Sequence, residues 1–337
     1  MSSVEYEGIA IGIEDIDTWF KLSKKAENDS ANKHREYIIG AILNQKIPDT
    51  YYKHASWKRM RTEVYTFLDT LRSSTDPIRS LSCKHIGGRR FSYDFLIEIN
   101  GNEYKVEFKF NVSSVTECPE FVSPGKPSDF LSASYEGYYY DHYLPLLCRE
   151  ANIPIPPRET YVRTINGNAP KCVAPLKELY KLNDTFQANA KALSKKSIEE
   201  FLKRTRLDTQ RLSSYLQTSQ DDKVYMMYKN GVFTLQKHAS ELYTIVSCET
   251  CPSKACFIAT MKSGDKIKIL LRWKNGNGIA FPAFQISLLK KSEGSATGLD
   301  ALGITALKKL AKEKGLKGFS TYTSKTKDEL VRKLKQM

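Results

Sequence analysis

Long apolar runs are missing from this sequence. Its hydrophobic stretches fall well short of the roughly 20 consecutive apolar residues that a bilayer-spanning helix needs, so no membrane partner is expected. A basic segment followed by an apolar one is missing at the start. MSSVEYEGIAIGIEDIDTWF is acidic, and a secretory leader is not expected. Cysteine is sparse: seven residues, an odd number, are scattered along the chain, unlike the framework of a disulfide-stapled secreted domain. That usage points to a reducing intracellular compartment, cytoplasm or nucleus. A second Cys-x-x-Cys is also missing. Cys248 and Cys251, with Cys256 beyond them, make half of a zinc site, and Cys172 or His238 would have to complete it. Reduced structural thiols are the expectation, and zinc is not.

What is present is a globular composition with a basic surplus. The 337 residues suggest two or three domains, with 41% apolar and 27% charged residues. Lysine and arginine number 52 against 38 acids, a net charge of +14 that attracts polyanions, nucleic acid before any other. The surplus is concentrated. Residues 305–337 hold nine lysines and one arginine against three acids. Residues 53–90 carry Lys53, Lys58, Arg59, Arg61, Arg72, Arg79, Lys84, Arg89 and Arg90.

Periodicity organises the first half. Residues 33–46 read as an amphipathic helix ended by Pro48. Residues 56–73 read as a second, with Met60, Val64, Phe67, Leu68 and Leu71 as its apolar stripe and Asp76-Pro77 as its stop. Ile78–Ile86 reads as a strand. YDFLIEINGNEYKVEFKF, residues 93–110, alternates on both sides of Asn100-Gly101, a pair that tolerates the positive φ of a tight hairpin turn.

Polar residues interrupt that hairpin in a pattern. A period of 2 puts Glu107 and Lys109 on one strand face and Val106, Phe108 and Phe110 on the other. With the turn at Asn100-Gly101, Asp94 falls opposite residue 107. Two carboxylates supply hard oxygen ligands for Mg²⁺, and a lysine beside them can orient or deprotonate a water. Asp94, twelve intervening residues, then Glu107-Phe108-Lys109 resembles the PD-(D/E)XK motif of restriction-endonuclease-like nucleases, with Tyr93 where the motif name has proline. The resemblance implies an αβββαβ core within an α/β (α+β) fold, with a helix, a strand and a hairpin in that order. It implies Mg²⁺ (or Mn²⁺) held by Asp94, Glu107 and the Phe108 carbonyl, and Lys109 positioning the attacking water. It also implies a further acid from the preceding helix. Glu63 is the candidate and Glu36 the runner-up. Arg89 and Arg90 are placed to meet the phosphate.

Beyond the hairpin, a Ser/Pro/Gly-rich loop at 113–129 leads to EGYYYDHYLPLL, residues 136–147, a helix whose tyrosines are better suited to a core than to stacking on bases. IPIPPRETYVR, residues 153–163, reads as a connector closing the catalytic core. Residues 176–218 are helical, and 222–290 read as a small antiparallel β region. In it, Arg272-Trp273-Lys274 sets an aromatic between two cations, which suits either a nucleic-acid contact or a hairpin loop whose tryptophan anchors the core.

After the Ser/Gly-rich stretch 291–298, the chain resembles a SAP or Rho-N-like helix-extended loop-helix module, through Leu307-x2-Leu310-Ala311, Gly315-Leu316, Gly318 and Lys327-x2-Leu330. Such modules bind nucleic acid, which assigns phosphate contacts to Lys308, Lys312, Lys325 and Lys327, among other lysines. The expected organisation is a helical region at 1–55, a nuclease-like core at 56–165, a helical segment plus β region at 166–290 and the basic module at 299–337. The expected function is a Mg²⁺-dependent DNA endonuclease with a tethered DNA-binding tail. The alternatives are a nuclease fold kept as a DNA- or RNA-binding scaffold, or an enzyme acting on RNA. Many nucleases of this kind cut both strands as dimers, so a homodimer stays open.

Overall fold

The computed structural model describes residues 3–21, 29–72, 76–86, 91–118, 122, 125–167, 170–221, 223–237, 243–289, 304–316, 318–323 and 326–335. The fold is mixed α/β with several sheets. Two compact units divide the chain, residues 1–289 and 290–337.

The first unit opens with the strand pair β1 (Val4–Tyr6) and β2 (Ile9–Ile11), then α1 (Asp15–Trp19), α2 (Asp29–Leu43) and α3 (Ala55–Arg72). Three antiparallel strands follow, β3 (Leu81–His85), β4 (Phe95–Ile99) and β5 (Asn102–Phe110). The β4–β5 turn forms because Asn100 and Gly101 both take positive φ, 51° and 82°, as a two-residue hairpin of this twist requires. The Asn100 side chain also accepts the backbone N–H groups of Arg79 and Ser80 at 2.8 and 3.0 Å, tying the start of β3 to the turn.

A long excursion follows: α4 (Tyr135–His142), α5 (Leu144–Glu150), α6 (Arg158–Thr164), α7 (Ala174–Leu182), α8 (Asp184–Leu202) and α9 (Thr209–Gln220). The tyrosine-rich segment makes two helices rather than one. Pro145 brings no N–H and sits in the first turn of α5, where none is needed. Tyr135, Tyr139 and Tyr143 recur every four residues and are buried, as expected of core packing.

The chain returns as β6 (Lys223–Lys229), parallel to β5, and turns at Asn230-Gly231 into β7 (Val232–Lys237). The sheet order is β3-β4-β5-β6-β7. This corrects two expectations. Residues 223–237 do not share a β region with 244–289, and the sheet that β3–β5 begin does not end before residue 165. A parallel neighbour for β5 needs a crossover, and residues 111–222 supply it. The remaining strands, β8 (Ile245–Cys251), β9 (Cys256–Met261), β10 (Lys266–Trp273) and β11 (Pro282–Leu288), form a separate antiparallel sheet in the order β11-β10-β9-β8.

The five-stranded sheet is covered on both faces. On one, Phe95, Ile97, Val106, Phe108, Val224 and Met226 meet the buried stripe of α3 (Trp57, Met60, Val64, Phe67, Leu68, Leu71) and Ile38, Ile39 and Ile42 of α2. Each fully buried stripe residue contributes about 1.5–3 kcal/mol. On the other, Tyr225 and Met227 join a core made by α4–α9 and the inner residues of the second sheet, Phe257, Ile267, Ile269, Phe284 and Ile286 among them.

The second unit carries α10 (Ile304–Glu313) and α11 (Lys327–Lys335) around a core of Leu307, Ala311, Tyr322, Leu330, Val331 and Leu334, with Ile304, Leu310 and Leu316 packed against it. Gly315 and Gly318 take the left-handed conformations that end α10 and open the following turn.

Candidate active site

Asp94 sits one residue before β4 and already belongs to the sheet. Its N–H donates to the Val106 carbonyl at 3.0 Å, and its carbonyl accepts the Ile86 N–H at 2.8 Å. The pairing of Phe95 with Val106 puts Asp94 opposite Glu107. Its carboxylate Oδ2 accepts the Phe108 backbone N–H at 2.9 Å. Strand alternation turns Glu107 and Lys109 to the face opposite Phe108, and the Lys109 ammonium lies 2.5 Å from Glu107 Oε1. The side chains of Glu107 and Lys109 are 12% and 23% exposed, so the cluster is recessed but reachable from solvent.

A second lysine is present that sequence reasoning missed. Lys223, the first residue of β6, shares the face of Tyr225 and Met227. Its ammonium lies 3.7 Å from Glu107 Oε2 and donates to the Ser92 carbonyl at 2.8 Å. Its side chain is only 1% exposed. The available signal was a charge opening the otherwise apolar segment KVYMMYK, but it has meaning only once that segment is placed beside β5.

The electrostatics follow from this crowding. Burial, then the charges of Glu107 and Glu36, push the Asp94 carboxyl well above its ordinary range. Lys109 and the Phe108 N–H oppose the shift. For Lys109, burial acts to lower the pKa, but Glu107 and Asp94 together prevail and raise it, so the ammonium stays charged. For Lys223, burial dominates and lowers the pKa, with Lys109 adding to it and Glu107 and Asp94 opposing. The buried Cys118 also feels the cluster. Its thiol is pushed up to about 11, by burial first.

Of the two helix glutamates, Glu36 acts on the Asp94 carboxyl. Glu36, on α2, is among the charges acting on Asp94, and its Oε2 lies 2.8 Å from His85 Nε2 on β3. The charge of Glu63, on α3, acts on Tyr228, which packs in the core shared with α3. Helix α2 packs against β3, the strand beside Asp94, and α3 packs against β7, at the other edge of the sheet.

Of the two readings of Trp273, a nucleic-acid contact and a core anchor, the structure shows the second. Trp273 is buried in the core, and its indole N–H donates to the Tyr135 hydroxyl at 2.9 Å. A position alternating with Ile267, Ile269 and Leu271 on β10 faces inward with them. Arg272 alternates outward, is exposed, and donates to the Gln285 side chain at 2.7 Å. Lys274 follows the strand, with its N–H on the Phe281 carbonyl at 3.0 Å. In the second unit, Lys312 is exposed, Lys327 opens α11, and Lys308 donates to the Ser320 carbonyl at 2.8 Å. Arg89, Arg90, Lys325 and His238 lie outside the described residues. Among the described residues, no group of three or more His, Cys, Asp or Glu side chains comes together as a metal site, and no helix is long and apolar enough to cross a membrane.

Comparison with protein-family models, curated proteins and solved structures finds no match for this chain.

Proposed function

We propose that this protein is a Mg²⁺-dependent DNA endonuclease of the PD-(D/E)XK type, with Asp94, Glu107 and Lys109 as its reactive cluster and the basic C-terminal unit as a SAP-like DNA-binding module. The observation that carries the reading is the meeting of Asp94, Glu107 and Lys109 on one face of an antiparallel hairpin, next to a parallel strand. Helix α3, strands β3–β5, the crossover ending in α9, and β6 follow one another in the αβββαβ order of that family.

The donors fit a hard divalent cation. Two carboxylates lie opposite each other on neighbouring strands, and Asp94 is held above its ordinary pKa by burial and by the negative charges of Glu107 and Glu36, a strain that a bound cation relieves. Asp94, Glu107 and the Phe108 carbonyl would hold Mg²⁺ or Mn²⁺, which when bound supplies an acidified water and neutralises phosphate charge. The protein's own groups do the rest. The Phe108 N–H fixes the Asp94 carboxylate. Lys109, the more exposed of the two lysines, orients the water or a phosphate oxygen. Basic residues around the cluster and in the C-terminal unit hold the polyanion. Hydrolysis would form a P–O bond from the water oxygen and break the P–O bond to the leaving oxygen, with the proton of the water lost to solvent and the leaving oxygen protonated from solvent.

A second reading has a specific observation in its favour. Glu107 already has two ammonium groups about it, Lys109 and Lys223, so the cluster holds two carboxylates and two lysines without any metal. A nuclease fold kept as a DNA- or RNA-binding scaffold needs nothing more. Incubating the purified protein with supercoiled plasmid, linear duplex, branched DNA and RNA, with and without Mg²⁺ or Mn²⁺, separates the two. Metal-dependent cutting supports the enzyme. Binding without cutting under either metal supports the scaffold.

A further inference from the structure

We propose that Lys223 is a positioning residue that fixes the rotation of Glu107, so that Oε1, and not Oε2, is the oxygen Glu107 offers to a cation. The inference rests on the metal-nuclease reading above and adds to it a residue outside the motif.

The argument starts from how the two lysines divide one carboxylate. Lys109 takes Oε1 at 2.5 Å, and Lys223 lies 3.7 Å from Oε2. The two ammonium groups differ in their freedom. The Lys109 side chain is 23% exposed, and among the described residues its ammonium donates to Glu107 alone. It is the less enclosed of the two ammonium groups. The Lys223 side chain is 1% exposed. Its ammonium is also held by the Ser92 carbonyl at 2.8 Å, two residues before Asp94. Its backbone lies in a strand with neighbours on both sides, β5 and β7. An ammonium so enclosed cannot leave without being stranded in the interior, where an unpaired charge is costly. Oε2 therefore stays committed to Lys223. Oε1 is available, and the Lys109 ammonium occupies it here as the cation.

The arrangement also joins three strands at one point. Lys223 brings β6 to Glu107 on β5 and to the segment that leads into Asp94. A carboxylate that binds a metal usually has its other oxygen fixed by a neighbour, and removing that neighbour costs about 10- to 100-fold in metal affinity. By this logic the two lysines act on metal binding in opposite directions. Lys109 competes with the metal for Oε1, whereas Lys223 prepares Oε1 for it.

The test measures Mn²⁺ affinity by titration of the full-length protein, without DNA, in wild type, Lys223→Met, Lys223→Gln and Lys109→Ala. Circular dichroism and thermal melting check the fold of each. Lys223→Met keeps the length of the side chain and removes the charge. Lys223→Gln keeps a donor within the strand should the methionine variant not fold. The expected result is a Kd raised about tenfold or more in both Lys223 variants and unchanged or lowered in Lys109→Ala. If the Lys223 variants bind Mn²⁺ as tightly as wild type, or more tightly, Lys223 is merely a nearby positive charge and the inference is overturned while the nuclease reading stands. If wild type itself takes up no Mn²⁺, the metal-nuclease reading fails and the inference falls with it.

Discussion

The Asp94 carboxylate accepts the backbone N–H of Phe108 at 2.9 Å, across the strand pair and between the two residues whose side chains form the rest of the cluster. This single bond holds one carboxylate in front of the other. An isolated Asp opposite Glu would turn away to relieve repulsion. Here the N–H, together with Lys109, offsets part of that repulsion, and the rest remains as the raised pKa of Asp94.

Replacing Asp94 with asparagine keeps an oxygen for the Phe108 N–H and removes the charge. Cleavage of plasmid should fall by several orders of magnitude, since activation of water by the metal is a large share of the rate. DNA binding should persist or tighten, because a repulsive charge near the phosphate is gone. Gel-shift and nicking assays on one preparation read both. Wild-type cutting by Asp94→Asn would place the activity elsewhere.

The raised pKa of Asp94 has a definite sign in stability. Between the ordinary carboxyl pKa near 4 and the raised value, the native state holds more protons than the unfolded one. Stability without metal therefore declines as pH climbs through that window, and at neutral pH the ionised Asp94 is a net cost. Asp94→Asn should melt at or above the wild-type temperature at pH 7 in EDTA, with the difference shrinking toward pH 4. Mg²⁺ should raise the melting temperature of wild type and leave that of the variant unmoved. Differential scanning fluorimetry over a pH series reads all of this.

Lys109→Ala removes the partner 2.5 Å from Glu107 but leaves both carboxylates. Cleavage should drop by about a hundredfold or more, as the water loses the group that orients it, with metal binding retained. Single-turnover rates at saturating metal isolate the loss.

The two helix glutamates should separate cleanly. Glu36→Gln removes a charge that acts on Asp94 and a partner of His85, and cleavage or its metal dependence should change. Glu63→Gln, on the helix packed against β7, should cut more nearly like wild type. Equal loss in both would show that α3 reaches the cluster in the working enzyme.

Deleting residues 290–337 removes a unit with its own core and the whole of the lysine-rich tail. DNA affinity should fall, while cutting persists at high protein concentration. The slope of log K against log salt should flatten by about 0.9 for each phosphate that the protein no longer neutralises. Fluorescence anisotropy from about 50 to 200 mM salt measures the slope. A truncated protein with unchanged affinity and slope would remove the module from DNA binding.

The sequence by itself determined the local structure. Asn100-Gly101 specifies a tight hairpin because both residues accept positive φ, and strict alternation on either side then puts Asp94 against Glu107 and turns Glu107 and Lys109 to one face. The stripe on α3 and the leucines of the C-terminal unit declare their cores through helical spacing alone. All of these are relations between residues close in the chain, where periodicity and turn chemistry act. Only the tertiary structure decided which strand lies beside β5, that Glu36 acts on Asp94, and that Lys223 is buried against Glu107. Each depends on which faces meet across the sheet. Parallel pairing joins segments separated by a long crossover, and no turn or local period records the partner. A lysine at the head of an apolar strand is an ordinary strand end until the neighbouring strand supplies a carboxylate to hold it.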